Sequence, residues 1–492
     1  MNFLNNNYMK AAKKLVLVML LTGLFASCDD FGDLNTDPNN PSQVRTELLL
    51  TNAQRSMSDK VGAVMGTLWV QYMTETQYTE AQEYREVNAN FNGWYTGPLQ
   101  DLQTIIDLNS NEETAGDVLS GGSNVNQIAV ARIMKAYFYQ MITDRWGMVP
   151  YSEALQGREN LQPSYDSQSA IYENLIAEYK AAADQIDPGS AAVTGDILFQ
   201  GDMQKWVELA NSLRARAALR LSESNASLAE TEFSDAVSDG IITEDVLYPY
   251  LTSADNENPW YTRFRTRTDY AISATIADTM KGLEDNRILV YANPAPDASN
   301  GDSEVTFDEI VGMPFAENAG DTPNSEISFP GAAIGAGGPS VGVQDAPLPI
   351  ITVAEMEFAQ AEAVERGWIT GVAADHYVAG IEASWNQWGV YDAADFTAYT
   401  AQPEVAYNSA TWDEQIGYQK WLAMYPNGYE AWSEWRRTGH PVLTPNPFGV
   451  LSQIPIRFTY PTSEATNNTE NYNAAVSEQG PDDPLTPVWW DQ

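Results

Sequence analysis

Cysteine and histidine are almost missing from this chain: 492 residues contain one cysteine, Cys28, and two histidines, His376 and His440. Cys/His metal clusters and Cys–His nucleophile pairs are thereby excluded. A single thiol cannot form an intramolecular disulfide, so stability must come from a packed core. Basic residues are also scarce, 26 against 67 acidic ones, for a formal net charge of −41. A field of that sign repels phosphate backbones and anionic lipid, which argues against a nucleic-acid partner and suits neutral or cationic ligands. Long apolar runs are lacking too. The uncharged stretch Leu15 to Ser27 is thirteen residues long, short of the roughly twenty that a helix needs to cross a hydrocarbon core.

Catalytic and nucleotide signatures are absent as well. The sequence has no P-loop, no dinucleotide fingerprint and no intact EF-hand loop. Gly338-Pro339-Ser340-Val341-Gly342 matches G-x-S-x-G, but a nucleophile elbow needs a strand before it and a helix after it. AAIGAG upstream and the proline-containing VQDAPLPI downstream promise neither. His376 lies on a helical pattern and is expected to pack or face water. The Asp-rich DDFGDLNTDPNN at 29–40 is the one stretch with donors for a weak calcium site; no metal or cofactor is expected.

What is present begins at the N-terminus. Lys10, Lys13 and Lys14 precede the apolar run and no acid accompanies them, the pattern of a signal peptide's n-region and h-region. Phe25-Ala26-Ser27-Cys28 then places small residues directly before the cysteine, as a lipoprotein signal peptidase requires. Cys28 becomes the acylated mature N-terminus on this reading, and its acyl chains, at roughly 0.8 kcal/mol per buried CH₂, hold the protein on a membrane without a spanning helix. Asp29 and Asp30 follow at once, and an acidic pair there resembles a surface-export signal of bacterial lipoproteins. Loss of residues 1–27, with three lysines and no acid, makes the mature chain still more acidic. The organisation expected is a signal peptide over 1–27, a lipidated tether over 28–43 and a single domain over 44–492.

Beyond the tether, apolar residues recur at three and four. The spacing predicts helices over Thr46–Thr76, Gly97–Asn109, Asn124–Trp146, Ser167–Gln185, Met203–Leu221 and Leu228–Asp239. Val353–Trp368 and Val372–Trp388 form a further pair joined by Ile369-Thr370-Gly371, with Ala-rich faces suited to close packing. Trp412–Tyr425 and Tyr429–Arg437 form the last. Between about 240 and 349, Gly, Pro, Asn and Asp clusters break the periodicity, and irregular structure is expected both there and in the Pro-rich C-terminal stretch. The fold class predicted is mostly α, with tetratricopeptide-like helix pairs and long irregular loops.

Several stretches together resemble the SusD/RagB family of nutrient-binding outer-membrane lipoproteins. Asn35, Asp37, Pro38, Asn39 and Pro41 look like its N-terminal signature. Asp144, Gly147, Pro150, Tyr151, Glu153 and Ala154 look like its D-x-x-G-x-x-P-Y-S-E-A segment, and EFAQAEAVERGW at 357–368 is similar to its AEA-x-x-R-G-W helix. The most specific match is EAWSEWRRTGHP, in which Glu430, Trp432, Trp435, Arg436, Arg437, Thr438, Gly439 and Pro441 follow the family order. His440 and Ile456 depart from its commoner residues. ENYNAA and VWWD near the end complete the pattern. The resemblance implies a SusD-like α-α superhelix, a lipid anchor, a glycan or oligosaccharide ligand, and a SusC-like TonB-dependent transporter as partner, without catalysis. Arg436 and Arg437 can fork onto carboxylates or carbonyls and pin the C-terminal segment.

Neutral sugars present flat C–H faces ringed by hydroxyls, so their sites need exposed aromatic planes beside planar polar groups. NENPWYTRFRTRTDY at 256–270 supplies both, and Trp260, Tyr261, Arg263, Arg265 and Asp269 are the first candidates, in a stretch that reads as a loop beyond a proline. Tyr78, Trp94 and Tyr95, in an Asn-rich connection, are the second set. Trp432, Trp435, Trp489 and Trp490 are expected in the core. Three readings follow: capture of glycans, capture of peptides or another nutrient by the same type of complex, and surface glycoside hydrolysis, which the missing catalytic sets make the weakest.

Overall fold

In a computed structural model, residues 44–301, 304–336 and 342–491 are described. The signal peptide, Cys28, the tether, the Asp-rich stretch and residues 338–341 of the G-x-S-x-G match lie outside them. The fold is mostly α. Helices α1 (Thr46–Arg55), α2 (Ser58–Val61) and α3 (Val64–Trp69) lead into strand β1 (Met73–Glu75); α4 (Gln100–Ser110), α5 (Asn124–Trp146), α6 (Gln168–Gln185), α7 (Met203–Arg220) and α8 (Ala226–Asp239) follow. Then come α9 (Pro259–Phe264), α10 (Ala274–Gly282), α11 (Val353–Glu365), α12 (Ala373–Gln387), α13 (Ala393–Thr400), α14 (Trp412–Ala423), α15 (Gly428–Thr438) and α16 (Thr469–Gln479). The strands are short and pair antiparallel: β1 with β5 (Tyr270–Ile272), β2 (Val149–Pro150) with β3 (Tyr165–Asp166), and β4 (Val246–Tyr248) with β6 (Leu348–Ile351).

Successive helices pack on one another, as in α5–α6, α7–α8 and α11–α12. The bonds between α5 and α6 run in opposite chain order: Gln185 Nε2 donates to Val125 O, Arg132 Nε to Glu178 at 2.8 Å, Tyr179 Oη to Gln140 at 2.9 Å, and Gln168 Nε2 to Thr143 O at 2.7 Å. That antiparallel pair matches the spacing of the sequence. Buried tryptophans tie the layers together. Trp69, on α3, meets Trp432, on α15, with ring centres 4.8 Å apart, and Phe458 at 4.9 Å.

Four elements meet around buried charges. Arg216 on α7 forks onto Glu355 on α11, and Arg437 on α15 places Nη1 and Nη2 each 2.7 Å from the two oxygens of Glu362. Glu434 receives Arg437, Arg220 and Lys420 together. Burial opposes its ionisation, but these three cations outweigh burial and hold the carboxyl well below the usual range. Arg436 Nη1 donates to Ile456 O at 2.7 Å and Trp432 Nε1 to Pro455 O at 2.8 Å, so this helix does pin the C-terminal segment. Gly439, left-handed at φ 71°, ends it.

The structure corrects several expectations. Thr46–Thr76 is not one helix but α1 to α3 followed by a strand. Within α3, Gly66 lets the helix cross α15 closely, since a Cβ there would lie 2.3 Å from the Gly428 carbonyl carbon. The segment 240–349 holds α9 and α10, and α16 lies in the C-terminal stretch expected to be irregular. Trp432 and Trp490 are core residues, whereas Trp435 and Trp489 are only half-buried. His376 is part-exposed, with Nδ1 2.7 Å from Glu357 Oε2.

Candidate functional site

The β1–β5 pairing brings the two candidate stretches together. Met73, Thr74 and Glu75 lie opposite Ile272, Ala271 and Tyr270. The junction continues past the strands: Thr76 N donates to Asp269 O at 2.8 Å, and Thr76 Oγ1 to Thr268 O at 2.6 Å. The chain then turns out at Tyr78, whose backbone is left-handed at φ 58° and whose side chain is 63% exposed. An exposed ring at a non-glycine left-handed position must be held there by its surroundings.

Those surroundings are specific. Gln82 closes the turn, accepting from Thr74 Oγ1 at 2.8 Å and from Glu75 N at 2.7 Å, while Gln82 N donates to Glu75 Oε2 at 2.9 Å. Glu75 is buried with no cation in ion-pair range among the described residues. Burial pushes its carboxyl up to about 8, and the nearby Glu86 and Glu80 add to the effect. On the outer side the Arg267 guanidinium lies 4.8 Å from the Tyr78 ring centre and pairs with Asp269 at 2.7 Å. Asn324 Nδ2 reaches Thr268 Oγ1 at 3.0 Å. The corner therefore offers an exposed aromatic plane flanked by a planar cation and a carboxylate.

The other end of the 256–270 segment behaves differently. Its first residues form α9, because the Asn258 side chain caps the N–H groups of Trp260 and Tyr261 and Pro259 takes the first helical position. That helix turns Trp260 inward to 0% exposure, 5.8 Å from the Tyr270 ring, so it presents no face to a ligand. Arg263 covers Trp260 at 4.7 Å and donates to Gly62 O at 2.9 Å; burial pulls its guanidinium down. Tyr261 is half-buried beneath Arg265, which pairs with Glu257. Arg263 and Thr262 also line a polar groove of about 540 Å³ with Arg55, Asp59, Asp255 and Asn256.

Trp94 and Tyr95 do not join the corner. Trp94 is 7% exposed, with Lys60 Nζ 4.7 Å and Arg145 Cζ 5.1 Å from its ring, and its edge meets Phe138. Tyr95 is half-buried and donates its hydroxyl hydrogen to Pro150 O at 2.7 Å. These two correct the second set, and Trp260 the first: their rings pack against Phe138, Tyr139 and Tyr270. Arg267 was missed in the sequence, although it stands two residues before the Asp269 that was singled out.

The SusD-like family model, whose description is starch-binding associating with outer membrane, matches residues 38–461. The chain belongs to the SusD-like family. A solved chitin-binding protein shares its fold at a TM-score of 0.77 and 29% identity, over 91% of this chain and 100% of that one. A SusD homologue from Bacteroides fragilis (TM-score 0.77, 24% identity, 91% and 100% covered) and a chitin-binding SusD homologue from Flavobacterium johnsoniae (TM-score 0.73, 24% identity, 91% and 98% covered) have the same SusD-like fold. No curated protein matches the chain. Among the described residues no helix of this SusD-like protein is long and apolar enough to cross a membrane.

Proposed function

We propose that this SusD-like protein is a surface-exposed, lipid-anchored binding protein that captures oligosaccharides, with chitin-type chains as the first class to test. It delivers them to a SusC-like TonB-dependent transporter. The observation that carries the reading is the chitin-binding relative, matched along its whole length. The exposed Tyr78 plane beside Arg267 and Asp269 supplies a surface of the right chemistry. In this reading residues 1–27 are removed, Cys28 is acylated, 28–43 is the tether and 44–492 is the binding domain.

The reading assigns no catalysis. A general acid needs a raised pKa and access to the substrate; Glu75 is raised but buried and bonded to Gln82, and Glu257 is held low. Burial pushes it up, and bonds from Thr262 and Gln344 with the Arg265 charge outweigh that push. Asp269 is paired with Arg267.

The test is a glycan array and a peptide library probed with the soluble form lacking residues 1–28, followed by titration with chito-oligosaccharides. Saturable glycan binding that Tyr78→Ala weakens about tenfold or more supports the reading. Peptide binding alone would replace glycan by peptide capture, and release of free sugar on incubation would revive the hydrolase.

A further inference from the structure

The C-terminal tail returns across the end of α5 and leaves one tryptophan over a cavity. Trp490 is buried, with Nε1 donating to Asp144 Oδ1 at 3.1 Å, and Val488 is buried as well. Trp489, held between these two anchors, is only half-buried. It lines a cavity of about 160 Å³ with Met148, Ser167, Gln168, Ser169 and Glu478. That volume lies well above the roughly 10–15 Å³ that holds one water molecule and below the roughly 300 Å³ of a drug-sized pocket. The space suits one sugar residue.

The walls are fixed before any ligand arrives. Gln479, the last residue of α16, accepts from Met148 N at 2.6 Å and donates to Trp146 O at 3.0 Å, which ties α16 to the end of α5. Gly147 makes room for that contact, since its φ is 78° and a Cβ there would lie 1.8 Å from Gln479 Oε1. Ser167 caps α6, its Oγ accepting from Ala170 N at 3.3 Å and lying 3.1 Å from Ser169 Oγ. Gln168, the next residue, turns inward to 2% exposure. Its Nε2 donates to Thr143 O at 2.7 Å, which fixes the amide, and its Oε1 has no hydrogen-bond partner among the described residues. A buried acceptor without a donor costs free energy, and this one belongs to a residue that lines the cavity. A ligand hydroxyl or amide N–H supplies the donor.

We infer that this pocket is a second carbohydrate site, sharing no residue with the Tyr78 corner, which takes one neutral sugar residue against the face of Trp489. The inference takes its ligand class from the glycan-capture reading and rests on it. A pyranose brings an apolar C–H face for Trp489 and Met148, and hydroxyls for Gln168 Oε1, the two serines and Glu478. No lysine or arginine lines the pocket among the described residues, so an acidic sugar finds no counter-charge there.

The experiment follows the indole N–H signals of the soluble protein, prepared with isotope-labelled tryptophan, during titration with N-acetylglucosamine and with chitotriose. Loss of one signal in Trp489→Phe assigns Trp489. The expected result is a saturable shift of that signal, while the signal of Trp435, whose Nε1 donates to Pro441 O at 3.0 Å, stays in place. Tyr78→Ala leaves the midpoint for N-acetylglucosamine within about twofold, as separate sites require. Ser169→Phe, which fills the pocket from α6 and is shown to be folded by its melting temperature, abolishes the shift. A Trp489 signal that stays in place while chitotriose binds elsewhere, with that binding weakened by Tyr78→Ala, overturns the inference and leaves glycan capture standing. A Trp489 shift that disappears in Tyr78→Ala overturns the separate site, and binding of neither sugar overturns both readings.

Discussion

The Arg267 guanidinium and the Tyr78 ring lie 4.8 Å apart, on segments that meet only because β1 pairs with β5. This contact orients an exposed ring, which the core does not need. Tyr78→Ala is expected to leave the melting temperature within about a degree, since exposed substitutions rarely cost more than about 0.5 kcal/mol. It should weaken chito-oligosaccharide binding about tenfold or more, the loss of roughly 1.4 kcal/mol of stacking. Calorimetry and thermal unfolding of the same sample check both.

Trp260→Ala is expected to do the reverse. The indole is fully buried against Tyr270 and Arg263, and removal of such a side chain costs about 3–5 kcal/mol. Urea unfolding should show that loss, with glycan affinity retained in whatever fraction stays folded.

The fork of Arg437 onto Glu362 makes a third prediction. Arg437→Ala leaves Glu362 buried with only Arg366 in range, at 2.9 Å, and strips one cation from Glu434. Breaking a buried pair by removing one partner costs about 3–5 kcal/mol. Arg437→Lys restores the charge but not the fork and should recover only part of this, as read by urea midpoints.

Glu75 sets a pH dependence whose sign is fixed. Its carboxyl titrates at about 8 in the folded protein against 4.5 as the ordinary value. The folded state therefore binds more protons than the unfolded state between these values, and this group's contribution to stability falls as pH rises from 4.5 through 8. The span amounts to about 3–5 kcal/mol. Glu75→Gln, which keeps acceptor and shape without the charge, should match the native protein near pH 4.5 and exceed its stability at pH 9. Denaturant unfolding of the two proteins across that range measures the difference.

The helix pairs were legible because their stripes are local. Asn124–Trp146 was read with its observed bounds, and α7 and α11 to within a few residues. Lipidation falls on residues outside the description. The site was legible only in part, for a physical reason. Aromatic and polar residues at 256–270 mark a chemistry, but their orientation depends on α9, whose signal, Asn258 followed by Pro259, is a helix start that reads at first sight as a loop. Trp94 gives no local sign of burial, because the cations and the ring against it come from α2 and α5. Tyr78 could be placed next to Arg267 only through a strand pairing between distant segments.

A crystal structure of the soluble protein with a chito-oligosaccharide tests the central claim most directly. The account predicts a sugar ring stacked on Tyr78, with Arg267 and Asp269 in hydrogen-bonding distance of its hydroxyls. A sugar bound elsewhere, with Tyr78 bare at saturating ligand, would contradict it.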